Sequence, residues 1–366
     1  MGKINVFLQY PWKISDSQYY KSMLDSPPKD IIYINNNNRR TGMVVNKHKI
    51  FIAKFLKEKI RWILRRLNIT IINIRKTSLD KGYDIIHCAH CLSSNNSPWV
   101  ADFESVWQMR ISGYETKIGQ KKVLNILKKN NCKRIIAWTE ASKKEILKKY
   151  PEIQDKVRIV SYALPFPKIK KKKSKNVRLL FVGRYFRRKG GLHTLEAFDR
   201  LTKKYKNVEA IMISTIPEEI KKKYSKNKKI KFYGLMPYDQ ILKEIYSSSD
   251  IFLYPGYSDT FGFSFGDALS FGLPTITVDG FARKEIIEDG KTGFIIPREG
   301  IYKYDRIGEK EERIIQKMVE KTSKLIENKK LLNKMSKNCI YAVKEGKFSI
   351  KERNKKLKQV YLDALK

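Results

Sequence analysis

Cysteine and histidine are both scarce in this chain, with four of each among 366 residues. Four thiols with no spacing beyond the single CxxC of HCAHC, His87–Cys91, do not build a disulfide framework, and a reducing compartment is expected. Long apolar runs are missing as well, and none approaches the length of a membrane span. The opening MGKINVFLQYPWK has a short strand-like run where a signal peptide needs an apolar stretch and a small-residue cleavage site. Val6 stands where a myristoylation signal requires Ser or Thr. The expectation is a cytoplasmic protein. Acidic residues are few, 37 against 77 Lys and Arg, and the formal net charge is +40. Such an excess attracts nucleic acid, anionic lipid, nucleotides or polyanionic glycans without choosing among them. Abundant Lys, Ile, Asn and Tyr fit equally well with a codon bias toward A and T that decorates the surface with lysine. A reading as a nucleic-acid-binding protein rests on charge alone, because no recognition helix, zinc finger or aromatic RNA-binding signature is present. Nucleic acid is not an expected partner.

What is present is a folded composition, 42% hydrophobic and 11% aromatic, in a chain long enough for two cores. Apolar runs of strand length alternate with helix-length amphipathic segments, which argues for parallel sheets covered by helices on both faces. In the first half the candidate strands are INVFLQ, DIIYI, ITIINI, YDIIH, WVADF, RIIAW and VRIVS. In the second they are LLFVG, VEAIMIS, IKFYG, IFLYP, PTITV and GFIIP. Helices are expected at His48–Leu67 and Ser142–Tyr150, and long charged ones from about Tyr304 to Gly346 and from Ile350 to Leu365. Between the halves, LPFPKIKKKKSKN has the prolines and lysines of an exposed linker. The expected fold class is α/β, with two doubly wound, Rossmann-like domains joined near Pro167 and a cleft between them as the default ligand site.

Two segments of the second half carry chemistry. In LLFVGRYFRRKGGLHTLEAF a buried strand ends at Gly183 and a helix begins near Gly190 or Gly191. Glycines there let the backbone approach a ligand, the helix start offers free amides, and Arg184 and Lys189 add full charges, all of which suit a diphosphate. A structural turn with solvated arginines would read almost the same. In YPGYSDTFGFSFGDALSFGLPTITVDG a strand runs into a loop with Asp259 and Gly262, and a short helix carries Asp267 eight positions later. Unperturbed carboxyls are ionised near pH 7 and accept from sugar and ribose hydroxyls.

Together these segments resemble the C-terminal domain of the retaining glycosyltransferases of family 4, which have the GT-B fold, two Rossmann-like domains facing each other across a cleft. The resemblance is specific from about Leu179 to Pro297, including EIIEDGKTGFIIP at Glu285–Pro297. It implies that Gly183, Arg184, Lys189 and Gly190 bind the diphosphate of a nucleotide sugar, that Asp259 meets donor-sugar hydroxyls and that Asp267 meets the ribose. The amides around Phe261, Gly262 and Phe263 would face sugar and phosphates. The family has glutamate at both acidic positions, so the two aspartates leave donor identity open. The implied reaction moves a sugar from the nucleotide to a glycan or lipid-linked acceptor with retention at the anomeric carbon, in cell-surface polysaccharide or glycolipid synthesis. Arg184 and Lys189 would stabilise the departing diphosphate, so neither a metal nor another cofactor is expected. A nucleotide-sugar epimerase of the same fold is the alternative. By the same resemblance, 1–166 is the acceptor-binding domain, 167–176 a basic linker, 177–347 the nucleotide-sugar domain, and 348–366 a closing helix returning to the first domain.

In the first half the resemblance thins. QYPWKISDSQYY replaces the family's glycine pair, and Tyr10, Trp12, Tyr19 and Tyr20 either stack on a sugar or pack the loop themselves. Glu104, in SPWVADFES, aligns with an active-site histidine and becomes a candidate catalytic carboxylate, with Asp102 on the same strand face. On a helical wheel of Lys47–Asn68, Ile52, Leu56, Ile60, Ile63 and Leu67 form one stripe and Phe51, Phe55 and Trp62 another, with Lys59 and Arg66 between. The helix either meets an anionic membrane surface or is buried with snorkelling lysines. In YDIIHCAHC, His87 and Cys88 point to opposite strand faces, so the five residues of HCAHC cannot converge on one ion. Either His87 or His90 hydrogen-bonds substrate at a lip of the cleft, or both belong to a packed strand end.

Overall fold

The structure is a computed structural model that describes residues 2–9, 18–34, 59–60, 62–64, 66–77, 82–111, 115–163, 166–172 and 174–366. It divides into two compact units, Met1–Leu164 with Lys347–Lys366, and Pro165–Gly346.

The first unit contains β1 (Ile4–Gln9), β2 (Ile31–Tyr33), β3 (Ile74–Arg75), β4 (Ile85–Ala89), β5 (Leu92–Ser93), β6 (Trp99–Phe103), β7 (Cys132–Ala137) and β8 (Val157–Ile159). Its main sheet has the order β2-β1-β4-β6-β7-β8, and every neighbour pair is parallel. Strands of a parallel sheet covered on both faces are apolar throughout, and β4 and β6 are buried at every position. The Lys117–Lys128 helix starts where the Thr116 hydroxyl accepts from the Gly119 amide, and it lays Gly119, Val123 and Leu127 on the core. At Ile350–Leu365 the chain returns, burying Arg353, Leu357, Val360, Tyr361 and Ala364. Arg353 is 1% exposed, and its guanidinium donates to Ser22 Oγ at 2.9 Å and Ser26 O at 2.6 Å, which fastens this helix within the first unit.

The second unit contains β9 (Val177–Val182), β10 (Val208–Ile213), β11 (Ile230–Tyr233), β12 (Ile251–Leu253), β13 (Thr275–Val278) and β14 (Gly293–Ile296). Their order is β11-β10-β9-β12-β13-β14, again parallel. Counted within the unit this is 3-2-1-4-5-6, a doubly wound sheet whose direction of winding reverses between β9 and β12. The helices Gly191–Lys204, Phe263–Ser270, Glu309–Glu327 and Lys329–Lys344 flank it.

Two expected elements differ. ITIINI is a strand only at its end, where β3 pairs with the two-residue β5 outside the main sheet, and Ile69, Ile71 and Ile74 are exposed. The long charged helix is two, because Asn328 ends the first and its side chain caps the second by accepting from the Leu331 amide. Of the helix expected at His48–Leu67, the part before Lys59 lies outside the described residues.

Candidate functional site

Open parallel sheets bind ligands beyond the carboxyl ends of their strands, where the winding reverses. In the second unit that point is flanked by the turn after β9, Gly183–Gly190, and the loop after β12, Tyr254–Gly262. Both glycines flanking the first turn are there for contact. A Cβ on Gly183 would lie 3.1–3.2 Å from Phe181, Lys189 and Tyr254, and one on Gly190 would lie 2.8 Å from Pro255. Gly190 also has φ of 83°, a left-handed conformation that a side chain strains. The turn holds itself together: the amides of Lys189, Gly190 and Gly191 donate to the carbonyls of Tyr185, Arg187 and Phe186. The Gly256 amide in turn donates to Lys189 O at 3.2 Å, which fixes the loop against the turn.

This seating brings Lys189 and Asp259, 70 residues apart, into an ion pair between Nζ and Oδ1. Both side chains are largely enclosed, 16% and 11% exposed, and Asp259 Oδ2 is buried with no hydrogen bond. Beneath the loop lies Arg283, 1% exposed, with Nη2 donating to Gly256 O at 2.6 Å and stacked 4.4 Å from the Phe265 ring. Burial pulls the Arg283 pKa down, opposed first by the nearby Asp259 charge. Arg184 is half-buried at the start of the turn, its carbonyl accepting from Thr215 Oγ1 at 2.6 Å.

Gly262 has φ of 82° and opens the Phe263–Ser270 helix, so the first amides of that helix lie beside Asp259. Phe261 is buried and Phe263 half-buried, with ring centroids 6.0 Å apart. Asp267, five residues into the helix, is 6% exposed and accepts from the Tyr238 hydroxyl at 2.6 Å. Burial raises its pKa to about 7, the Tyr238 hydrogen bond opposing. The sequence implied an ordinary ionised carboxylate here. Enclosure makes it instead a group that titrates near neutrality. A further pair steadies the turn: His193, wholly buried, meets the Tyr257 hydroxyl at 2.7 Å, and burial lowers its pKa. Arg283, Tyr238, His193 and Tyr257 were not among the residues singled out in sequence. Arg283 stands just before the matched block at Glu285, the one nearby signal.

Residues 165–340 match the glycosyl transferases group 1 family. That stretch takes in all but the last six residues of the second unit. Among solved structures, a glycosyltransferase from Rickettsia africae ESF-5 is similar over all of both chains at 17% identity, with a TM-score of 0.65. Alr3699/HepE of Anabaena, in complex with UDP and glucose, is 12% identical over 98% of this chain and 99% of its own, with a TM-score of 0.61. The pneumococcal O-GlcNAc transferase GtfA, in complex with UDP and GlcNAc, is 17% identical over 84% of this chain, which spans 60% of that protein, with a TM-score of 0.57. At these identities the likeness establishes the fold, and that fold is GT-B. No curated protein matches by sequence.

The first unit corrects several readings. His87 is not at an open lip: it is wholly buried in β4, with Nδ1 2.6 Å from the Tyr361 hydroxyl and Nε2 3.3 Å from Asp102 Oδ1. Asp102, also wholly buried, accepts from Tyr20 at 2.7 Å and from Trp138 Nε1 at 2.8 Å. Burial pushes its carboxyl up, but the His87 contact, the nearby His90 and the Tyr20 hydroxyl outweigh that and hold it below the ordinary value. Tyr19 and Tyr20 pack with Trp138, Tyr162 and His90 as core and offer no sugar platform, while Tyr10 and Trp12 lie outside the described residues. Glu104 follows β6 directly and is half-buried, its amide donating to Gln108 Oε1 at 2.8 Å and its carbonyl accepting from Ser142 Oγ at 2.7 Å. All four cysteines are free and buried. Among the described residues no three His, Cys, Asp or Glu side chains are grouped to hold a metal ion. Among them, too, no helix is long and apolar enough to cross a membrane.

Proposed function

We propose that the protein is a retaining, nucleotide-sugar-dependent hexosyltransferase of the family 4 kind that extends a glycan or lipid-linked acceptor in cell-surface polysaccharide or glycolipid synthesis at the cytoplasmic side. The observation that carries the reading is the convergence of Lys189 and Asp259 at the winding reversal of a group 1 domain. Lys189 and Arg184 are the cations for the diphosphate, and the first amides after Gly190 and Gly262 add partial positive charge. Negative charge accumulates on the diphosphate as the glycosidic bond breaks, and fixed cations in an enclosed site stabilise that charge more in the transition state than before it. The sugar passes through an oxocarbenium-like state. Asp259 holds its hydroxyls, Asp267 holds the ribose, and Glu104 orients the acceptor or stabilises the cationic sugar. No metal is needed for this charge stabilisation. UDP is the nucleotide proposed, since it is bound in the Anabaena and pneumococcal relatives.

Slow hydrolysis of a panel of nucleotide sugars tests the reading without knowledge of the acceptor. One UDP-sugar should be cleaved in the presence of a chelator, and NMR of the first-formed anomer should find the donor's own configuration. Release of an epimerised sugar nucleotide would favour the epimerase, and no cleavage or binding of any donor would end both readings. A membrane-surface role is supported by Ile60, Trp62, Ile63 and Leu67, which are 47–61% exposed beside Lys59 and Arg66. Flotation with anionic but not neutral liposomes, lost in Trp62→Glu, is expected; flotation indifferent to lipid charge would count against it.

A further inference from the structure

Arg283 lies beneath the donor loop in a costly placement. A guanidinium that is 1% exposed uses one nitrogen, Nη2, on Gly256 O, while Nε and Nη1 are buried without partners. Buried donors left unmet are destabilising, and a buried charge more so. On the same loop, 3.4 Å from Nη2 by its own carbonyl, Asp259 has a buried Oδ2 that makes no hydrogen bond, and the Tyr254 hydroxyl also lies near the carboxylate. Unused donors and an unused acceptor therefore flank one short loop. Meanwhile the other oxygen of Asp259 holds Lys189.

That ion pair poses a difficulty for donor binding, which the Proposed function assigns to Lys189 and on which the present inference rests. The ammonium cannot serve the diphosphate fully while it is held by a carboxylate. Releasing it would leave Asp259 buried without a counter-charge, which is the expensive way to break a buried pair. We infer that Arg283 is a positioning residue that takes over Asp259 when Lys189 turns to the diphosphate. The guanidinium is bifunctional in this arrangement: Nη2 anchors the loop backbone and the remaining donors receive the carboxylate. No atom is transferred; one ion pair is replaced by two. Without a ligand the cations outnumber the carboxylate in this group, Lys189 and Arg283 against Asp259, so the exchange leaves both anions, diphosphate and Asp259, with a cation each.

Titration calorimetry of UDP against the full chain tests this with four variants. Arg283→Gln keeps a donor for Gly256 O but lacks the charge, and should lower UDP affinity about tenfold. Arg283→Lys keeps the charge and should stay within about threefold of wild type. Asp259→Asn frees Lys189 and should bind UDP at least as well as wild type. The deciding variant is Asp259→Asn with Arg283→Gln: with no carboxylate to strand, the loss should vanish and affinity should equal that of Asp259→Asn alone. This double variant also guards against misfolding, since a damaged loop would not bind. An equal loss from Arg283→Gln in both backgrounds, or no loss in either, overturns the exchange. Wild-type protein that binds no UDP, or binds it identically with Lys189→Ala, refutes the donor site itself and the exchange with it.

Discussion

Raising the pH from 6 to 8 should strengthen binding of the nucleotide sugar, and the cause lies at Asp267. Its carboxyl is enclosed, accepts from Tyr238, and titrates at about 7. A ribose diol donates two hydrogen bonds, which a carboxylate receives and a protonated acid receives poorly. With the site ionised in about a tenth of molecules at pH 6 and about nine tenths at pH 8, affinity should rise about tenfold, roughly 1.4 kcal/mol. Isothermal titration of a UDP-sugar is the assay, because its diphosphate is a diester with no ionisation in this range. His193, the other titratable group by the turn, has its pKa lowered by burial, which favours the neutral ring. Asp267→Asn should abolish the slope. Stability carries the opposite sign. A carboxyl raised from 3.8 to about 7 keeps its proton in the folded chain where the unfolded chain has lost it, so stability present below pH 4 is lost as pH rises to 7. The gap corresponds to roughly 4 kcal/mol, which Asp267→Asn should recover in part at pH 8 and not at pH 4. A flat affinity profile in wild type, or the same slope in Asp267→Asn, would refute this placement of the ribose.

Three further outcomes are expected. Asp102→Ala strands the Tyr20, Trp138 and His87 partners in the first unit, and should cost about 3–5 kcal/mol in denaturant unfolding while leaving UDP affinity of the second unit unchanged; a parallel fall in UDP affinity would contradict that division. Gly190→Ala forces a left-handed side chain against Pro255 and should cost at least about 1 kcal/mol and weaken UDP binding, whereas unaltered binding would show that the turn tolerates displacement. Glu104→Gln should reduce turnover far more than donor affinity, and unchanged turnover would remove it from the reaction.

Much of the fold can be read from local pattern. IFLYP and LLFVG are buried strands because a parallel sheet covered on both faces leaves no polar alternation, and β12 and β9 lie where those runs stand. Lys189 and Asp259 could each be picked out from the glycines around them, although their meeting depends on β9 and β12 being neighbours, which topology alone decides. Elsewhere burial was the missing term. His87 looked accessible at a strand end because the residue that covers it, Tyr361, comes 274 positions later. Asp267 looked like an ordinary carboxylate since its enclosure and its Tyr238 partner are tertiary. Arg283, in FARKEIIE, reads as one more solvated cation in a chain with 77 of them, and only the packing of Gly256 above it reveals otherwise. Tyr19 and Tyr20 carry no local sign that separates a sugar platform from core.

Lys189→Ala offers the most direct test that the group 1 unit holds a nucleotide diphosphate at the end of β9. UDP titrated into wild-type protein should bind stoichiometrically, and the substitution should weaken it at least about tenfold in a protein that is less stable but still folded. Equal binding of UDP by both proteins, or by neither, would contradict the assignment.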